Sequence, residues 1–446
     1  MNIRYKKIPA VLLATAIMLF SVLTFSPMPV YAAITSIDVG AVTGANPATN
    51  LSGTGWAWDS ATSTLTLSSG YTGEQIAITS SATDTATINV TGNVSIGSSI
   101  APVSGEGITS DGNLVITGTG TLEIYTDDRD GIYSQDGSIL ISGATLVIDA
   151  YWAGISAENG NVTIDNNANI KIDAGAGIYA DYLATIKSGN IEIDSSGDGI
   201  RGNDVIISGG ICNIITLYDD GSHISGGNGI YGPNSVTISG GTLDITSYWQ
   251  GIFSNDVIIS GGDIKINAHY YDNYKSALTG DEGIFGENSV TISGGKLDIE
   301  AFDDGIHTYQ DIIITGGTGT IKTIGGDPDY WAVRASLNTI ILGGGVFVLG
   351  WNAGDNAYNI ETKIDDVVPN FKTFFDIADT NYDTPLQDIW FYSLDDPDIV
   401  SDSVARNPVP QTSDSTGFLN GVIVLIAVFG GLALLVVLRR RIVGNR

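Results

Sequence analysis

The sequence predicts an all-β fold, a single parallel β-helix built from coils of about 22–24 residues. Three observations carry that expectation. Glycine supplies 57 of 446 residues. A Gly-Ile pair recurs at 107/108, 131/132, 154/155, 177/178, 199/200, 229/230, 251/252, 283/284 and 305/306, in steps of 24, 23, 23, 22, 30, 22, 32 and 22 residues. Each pair is followed by short segments in which apolar and polar residues alternate, with no helical stretch between them. A leucine-rich repeat shares the period but needs a Leu/Asn pattern that is absent.

Each coil is expected to hold three short strands. The first opens on the Gly-Ile pair. In the second, pairs such as Val205/Ile207, Val236/Ile238, Val257/Ile259 and Val290/Ile292 point inward, and in the third Leu243/Ile245, Ile264/Ile266 and Leu297/Ile299 do the same. The lone cysteine, Cys212, falls on the third strand where neighbouring coils carry Leu243 and Ile264, which predicts a packed core residue. Outward positions of the third strand read Asp244, Lys265, Asp298 and Lys322, an alternation expected to pair charges along the stack. The steps of 30 and 32 hold insertions at turns, within 217–228 and 269–278, and both precede a Gly-Ile pair. They should therefore protrude from one edge, where repeat proteins often build binding surfaces.

The ends read differently. Arg4, Lys6 and Lys7 precede an apolar run over 8–25 and a small-residue site ending at Ala32 and Ala33, the pattern of a signal peptide over 1–32; the alternative is an uncleaved signal anchor. Residues 33–104 are expected to form N-terminal capping coils, 105–344 the main coil domain, and 345–397 the last coils and the other cap. After a Ser/Asp/Pro stalk over 398–416 comes a transmembrane helix at 417–438 with a basic cytoplasmic tail at 439–446. The apolar run from Phe418 to Leu438 has 21 residues. At 1.5 Å each they reach about 31 Å, enough for a bilayer. The stalk segment Val409-Pro410-Gln411-Thr412-Ser413 resembles a Gram-positive sortase signal, with Val409 in place of Leu and Ser413 in place of Gly. The bulk of the chain is thus expected outside the cell, anchored in the membrane or attached to the wall.

Charge narrows the partners. The chain carries 49 acidic and 19 basic residues, a net of −30. Seven of the bases and none of the acids lie in the two ends, so the exported part has a net charge of −37. Such a surface repels nucleic acid and attracts cations, calcium especially. One cysteine excludes a disulfide framework and a multi-cysteine zinc site, and His223, His269 and His307 show neither metal spacing nor a triad.

Two outward columns flank the Gly-Ile pair. The residue after it reads Thr109, Tyr133, Ser156, Tyr179, Arg201, Tyr231, Phe253, Phe285 and His307. The residue before it reads Glu106, Asp130, Ala153, Ala176, Asp198, Asn228, Gln250, Glu282 and Asp304, with Trp152 and Trp249 one step further back. Rings that stack on sugars beside hydroxyl acceptors suit an extended polysaccharide, which makes Tyr133, Trp152, Tyr179, Tyr231, Trp249, Phe253 and Phe285 the candidate carbohydrate contacts. The competing reading is that these rings stack on one another to protect the coil edges. Clustered turn acids, with Asp130, Asp198, Asp219, Asp220, Asp303 and Asp304 as candidates, are expected to bind calcium.

The run Asp-Gly-Ile followed by Val-x-Ile-Ser-Gly-Gly-x-Leu/Ile-x-Ile, best seen at 198–214, 228–245 and 304–314, resembles the clostridial carbohydrate-binding domain family. The resemblance covers roughly 105–335 and implies a calcium-binding, right-handed, pectate-lyase-like β-helix that binds plant cell-wall polysaccharides at a cell surface. Asp130, Asp198 and Asp304 match the acid before Gly-Ile, whereas Ala153 and Ala176 interrupt that row. Two other functions remain open on the residues alone. One is a calcium-dependent polysaccharide lyase using Arg201, the only base in the aromatic column. The other is a surface adhesin that recognises protein.

Overall fold

In the computed structural model, residues 36–38, 51–73, 75–79, 81–219, 224–272, 277–325, 332–335, 340–342, 346–351 and 388–393 are described. The signal peptide, stalk, sortase-like motif, transmembrane segment and basic tail expected from the sequence all lie outside them. Among the described residues no helix is long and apolar enough to cross a membrane. The chain divides into two units, Met1–Phe391 and Tyr392–Arg446. Of the second unit only residues 392 and 393 are described.

The described chain is all β, and its strands stack in three parallel ladders. The first ladder runs Ile76, Ile108, Ile132, Ile155, Ile178, Ile200, Ile230, Ile252, Ile284, Ile306 and Val333, each in register with the next. The second places Val205, Val236, Val257, Val290 and Ile312 in one column. The third does so for Ile191, Cys212, Leu243, Ile264 and Leu297. Parallel pairing repeats the same position at every level, so each inward column buries the same kind of side chain against its copy. The isoleucine columns are almost wholly inaccessible and form one continuous core. Their β-branched side chains suit a pleated, fully packed surface.

Glycine is required at two corners of the coil. A Cβ on Gly251 would stand 2.3 Å from Ile266 Cγ2 and 2.6 Å from the Gly283 carbonyl oxygen, and the Gly-Ile glycines at 154, 229 and 283 are confined in the same way. At the second corner the chain turns left-handed after the second strand, with φ between +87° and +98° at Gly210, Gly241, Gly262, Gly295 and Gly317. The Ser-Gly-Gly signature therefore marks where the second ladder passes to the third.

The ends of the stack depart from parallel pairing. Strands Leu51–Gly53, Trp56–Asp59 and Thr64–Leu67 form an antiparallel meander, and the last of these joins Thr85–Val90 in parallel. Trp58 is buried there. At the other end, residues 388–391 pair antiparallel with residues 319–322.

The outward charges of the third ladder pair between coils, though not in the order read from the sequence. Asp244 and Lys265 are in register and 3.2 Å apart. Asp298 lies opposite Thr320, however, and Lys322 lies opposite Glu300 at 3.7 Å. The expected Asp298–Lys322 step is displaced by two residues, because the Gly-Gly corner sets the register and Gly319 occupies the place of Leu297. Asp298 is instead paired with Lys296 at 2.6 Å. These pairs are half exposed, so each offsets repulsion more than it adds stability.

Two outcomes test this packing. Gly251→Ala should lower stability by about 1–3 kcal/mol through overpacking, read as an earlier midpoint in chemical denaturation. Cys212 is 1% exposed and burial pushes its thiol up to about 12. Because the folded state keeps the thiol neutral, a maleimide at pH 8 should leave the native protein unlabelled and label it after unfolding.

Candidate functional site

The edge where the third ladder turns back to the first carries the chemistry. Both insertions emerge from it as antiparallel hairpins. Leu217–Asp219 pairs with Ile224–Gly226, and His269–Asp272 pairs with Ala277–Gly280. The intervening coil contributes the turn Tyr248-Trp249-Gln250, which lies between the two hairpins in the order of the stack. Tyr248 is held by both: its Cβ lies 2.3 Å from where a Cβ on Gly226 would be, and its ring stacks on Tyr270 with centroids 5.1 Å apart. Trp249 donates its backbone N–H to Gly227 and leaves its ring half exposed. Tyr218 and Tyr271, one on each hairpin, are also exposed. Exposed aromatic rings therefore recur on this edge at three successive turns.

The column after the Gly-Ile pair holds its predicted register from Thr109 to His307 and continues to Arg334. Its members stack on one another. The Arg201 guanidinium lies 4.6 Å over the Tyr231 ring and 5.8 Å over Tyr179. Tyr231 stacks on Phe253 at 5.2 Å, Phe253 meets Phe285 edge-on at 5.4 Å, and Phe285 stacks on His307 at 5.0 Å. Phe285 is only 7% exposed as a result. Tyr133 donates its hydroxyl to Glu158, and burial with that carboxylate raises its pKa. Tyr179 donates to Asp181 at 2.6 Å. Arg334 escaped the sequence reading because its coil opens on Ala332-Val333 instead of Gly-Ile.

The acids fall into separate groups. Asp281, Glu282 and Asp303 place carboxylate oxygens within 4.8 Å of one another. They sit at the foot of the second hairpin, where Asp281 donates its N–H to Ala268 and Asp303 donates its own to Asp281. Burial raises the pKa of Asp281, and the neighbouring Glu282 raises it further. Burial also pushes Asp303 up to about 6, helped by the charges of Asp304 and Glu282. Burial alone would raise Glu282 too, but hydrogen bonds from His307, Asp281 and Gln250 outweigh it and hold the group low. Three crowded carboxylates that resist full ionisation form a donor set that fits a hard, oxygen-preferring cation such as calcium.

The other predicted acids are engaged elsewhere. Asp198 accepts the backbone and side-chain N–H groups of Asn228 at 2.9 and 3.1 Å and pairs with Arg201 at 3.2 Å. Asp304 is buried against Arg334 at 3.3 Å and His307 at 3.7 Å. Asp219 is exposed on the first hairpin, and Asp220 lies outside the described residues. Asp130 accepts the Ala153 N–H at 2.7 Å beside Tyr151 and Trp152. Asp281 and Glu282 could have been joined to Asp303 from sequence, since Asp281 and Asp303 both stand two residues before a Gly-Ile pair.

An all-β stack with aromatic rings and carboxylates along one turn edge defines the class. Residues 169–328 match the family model described as carbohydrate-binding domain-containing protein. The resemblance to the clostridial carbohydrate-binding domain family is borne out over that segment. No curated protein and no solved structure gives a significant match to the chain.

Proposed function

We propose that the protein is a non-catalytic surface protein that binds an extended polysaccharide of the plant cell-wall type. The observation that carries this reading is the set of exposed rings Tyr218, Trp249 and Tyr271 on three successive turns of one edge, inside the segment matched by the carbohydrate-binding family. Aromatic rings give a sugar ring apolar area at little entropic cost, and nearby amide and carboxylate groups accept its hydroxyls. The coil stack is taken as right-handed, as strand twist favours for parallel crossovers. Arg201 is ion-paired and stacked between two rings, which favours a bracing role for it over that of a lyase base.

Calcium is assigned to Asp281, Glu282 and Asp303, where it would supply charge neutralisation and brace the second hairpin. Glu282 also accepts a hydrogen bond from Gln250 at 3.0 Å, so the acidic group is linked to the Trp249 turn. The signal peptide, stalk and anchor read from the sequence support display outside the cell, with the sortase-like motif as a route to the wall.

Binding is tested by pull-down on insoluble cellulose, xylan and pectin, with and without calcium. The wild type should be retained on at least one of them, and the triple substitution Tyr218→Ala, Trp249→Ala, Tyr271→Ala should abolish retention. Retention of the triple variant at wild-type level would reject these rings as the binding surface. Ultraviolet absorbance from unsaturated product on polygalacturonate would reject the non-catalytic reading. For the metal, calcium at a hundred times its Kd should stabilise the fold by about 2.7 kcal/mol. The rise in Tm should disappear with EDTA and in Asp303→Asn.

A further inference from the structure

A second feature of the same edge lies upstream of the matched segment for most of its length. In the coil that ends at Gly154 the register slips between Ala150 and Ala153, where Tyr151 and Trp152 stand opposite Gly175 alone, and this one-residue bulge leaves both rings in solvent. Tyr151 is 64% exposed and Trp152 is 49% exposed. Bulges of this kind re-aim side chains and are over-represented beside functional sites. The next coil makes room for the bulge with Gly175, where a Cβ would stand 2.6 Å from the carbonyl oxygens of both Tyr151 and Trp152. Ala153 and Ala176 stack in register where other coils carry an acid or amide. The missing side chains leave a shallow cleft of about 420 Å³, with Asp130, Trp152 and Tyr179 around it. The alanines that interrupt the acidic row thus form its floor.

The groups around this cleft differ from those of a metal site. Asp130 is 9% exposed, and its carboxylate accepts the Ala153 N–H and the Ser156 hydroxyl. A carboxylate offers about four acceptor positions, so capacity remains for a ligand hydroxyl. The Arg129 guanidinium lies 4.6 Å over one face of the Trp152 ring. That contact holds the ring upright and occupies the face a ligand cation would seek. Glu106 adds a second negative charge near Asp130, while Arg129 over Trp152 and Arg201 over Tyr179 flank the cleft with positive charge. The Asp130 carboxylate would repel an anionic group placed against it, whereas it accepts a hydroxyl.

We propose that this cleft is a second carbohydrate subsite, taking one neutral sugar ring stacked on Trp152 with a hydroxyl donated to Asp130. The proposal rests on the carbohydrate-binding reading above, but it places an independent contact four coils before Trp249. At about 4.8 Å per coil the two contacts stand about 19 Å apart. A glycan laid along the edge would reach both, and a short one would occupy either alone. The two sites together give avidity for a long chain that neither has for a fragment.

The test uses the full-length chain and hexamers of neutral β-linked glucose, xylose and mannose, with hexagalacturonate and a glucosamine hexamer as charged probes. Trp152→Ala and Asp130→Asn should each weaken binding of the preferred neutral hexamer at least tenfold. Trp152→Ala should also remove the part of the tryptophan fluorescence change on binding that Trp249→Ala retains. Since Trp152 is half exposed, its substitution should leave the Tm unchanged, which separates a lost contact from a lost fold. Unchanged affinity and fluorescence response in Trp152→Ala, with binding lost in Trp249→Ala, would overturn the second subsite and leave the Tyr218, Trp249 and Tyr271 surface standing. Equal affinity for hexagalacturonate without calcium, or binding of the glucosamine hexamer alone, would overturn the neutral-sugar assignment. Failure of the wild type to bind any glycan would remove the general reading and this one together.

Discussion

Parallel, in-register stacking at about 4.8 Å is the constraint on which everything else here depends. It places every residue against its counterpart one coil away, so a choice made once is multiplied along the ladder. Apolar columns become a continuous core, and this is why isoleucine recurs at the same corner from Ile76 to Ile306. Outward columns face the opposite problem, since like charges would repel at every level. Lysines answer it locally: Lys171 pairs with Glu192 at 2.8 Å and Lys296 with Asp298 at 2.6 Å. A surface this acidic leaves few such pairs among the described residues, and the crowded turn acids Asp281, Glu282 and Asp303 are where a dication has most to offer.

The same constraint decides where variation is tolerated. Ladder positions are fixed by their neighbours above and below, whereas the turn before Gly-Ile can lengthen without disturbing either ladder. Both hairpins and the Tyr151–Trp152 bulge are confined to that turn. Glycine then closes the coil on its own core: with Ile266 Cγ2 2.3 Å from a would-be Cβ on Gly251, the chain re-enters the first ladder at one point only. Inserted segments must leave and return on the same edge, which collects their exposed rings into one surface.

Much of this was legible in the sequence, because a repeat with fixed corners is its own alignment. Counting from the Gly-Ile pair gave the core columns, the place of Cys212 and the complete aromatic column down to His307. Errors came where another signal replaced the count. Lys322 was matched to Asp298 by charge alternation, although the Gly-Gly corner sets it opposite Glu300. Arg334 was missed because Ala332-Val333 replaces the expected pair. The acidic triad was within reach of the same count, since Asp281 and Asp303 both stand two residues before a Gly-Ile pair, whereas the cleft could not be read at all. Two alanines in a row look like a defect until the bulge above them is seen to need the space.

The rings of the edge divide into two kinds, and the division follows from where the backbone holds them. Those on the first ladder sit 4.8 Å above one another by construction, so they fill each other's faces; the stacks from Arg201 through Tyr231, Phe253 and Phe285 to His307 are the result. Their burial contributes to holding the coils together, and Phe285, at 7% exposure, has little face left for a ligand. Rings on the turn are released from that spacing. Trp152 and Trp249 stand on different coils with no ring of their own kind directly above or below, and each keeps about half its surface in water. The stacking reading, which competed with binding for the whole column in the sequence, holds for the ladder rings, and the proposed binding falls to the turn rings. Ladder aromatics brace the solenoid, and turn aromatics keep their faces open to solvent.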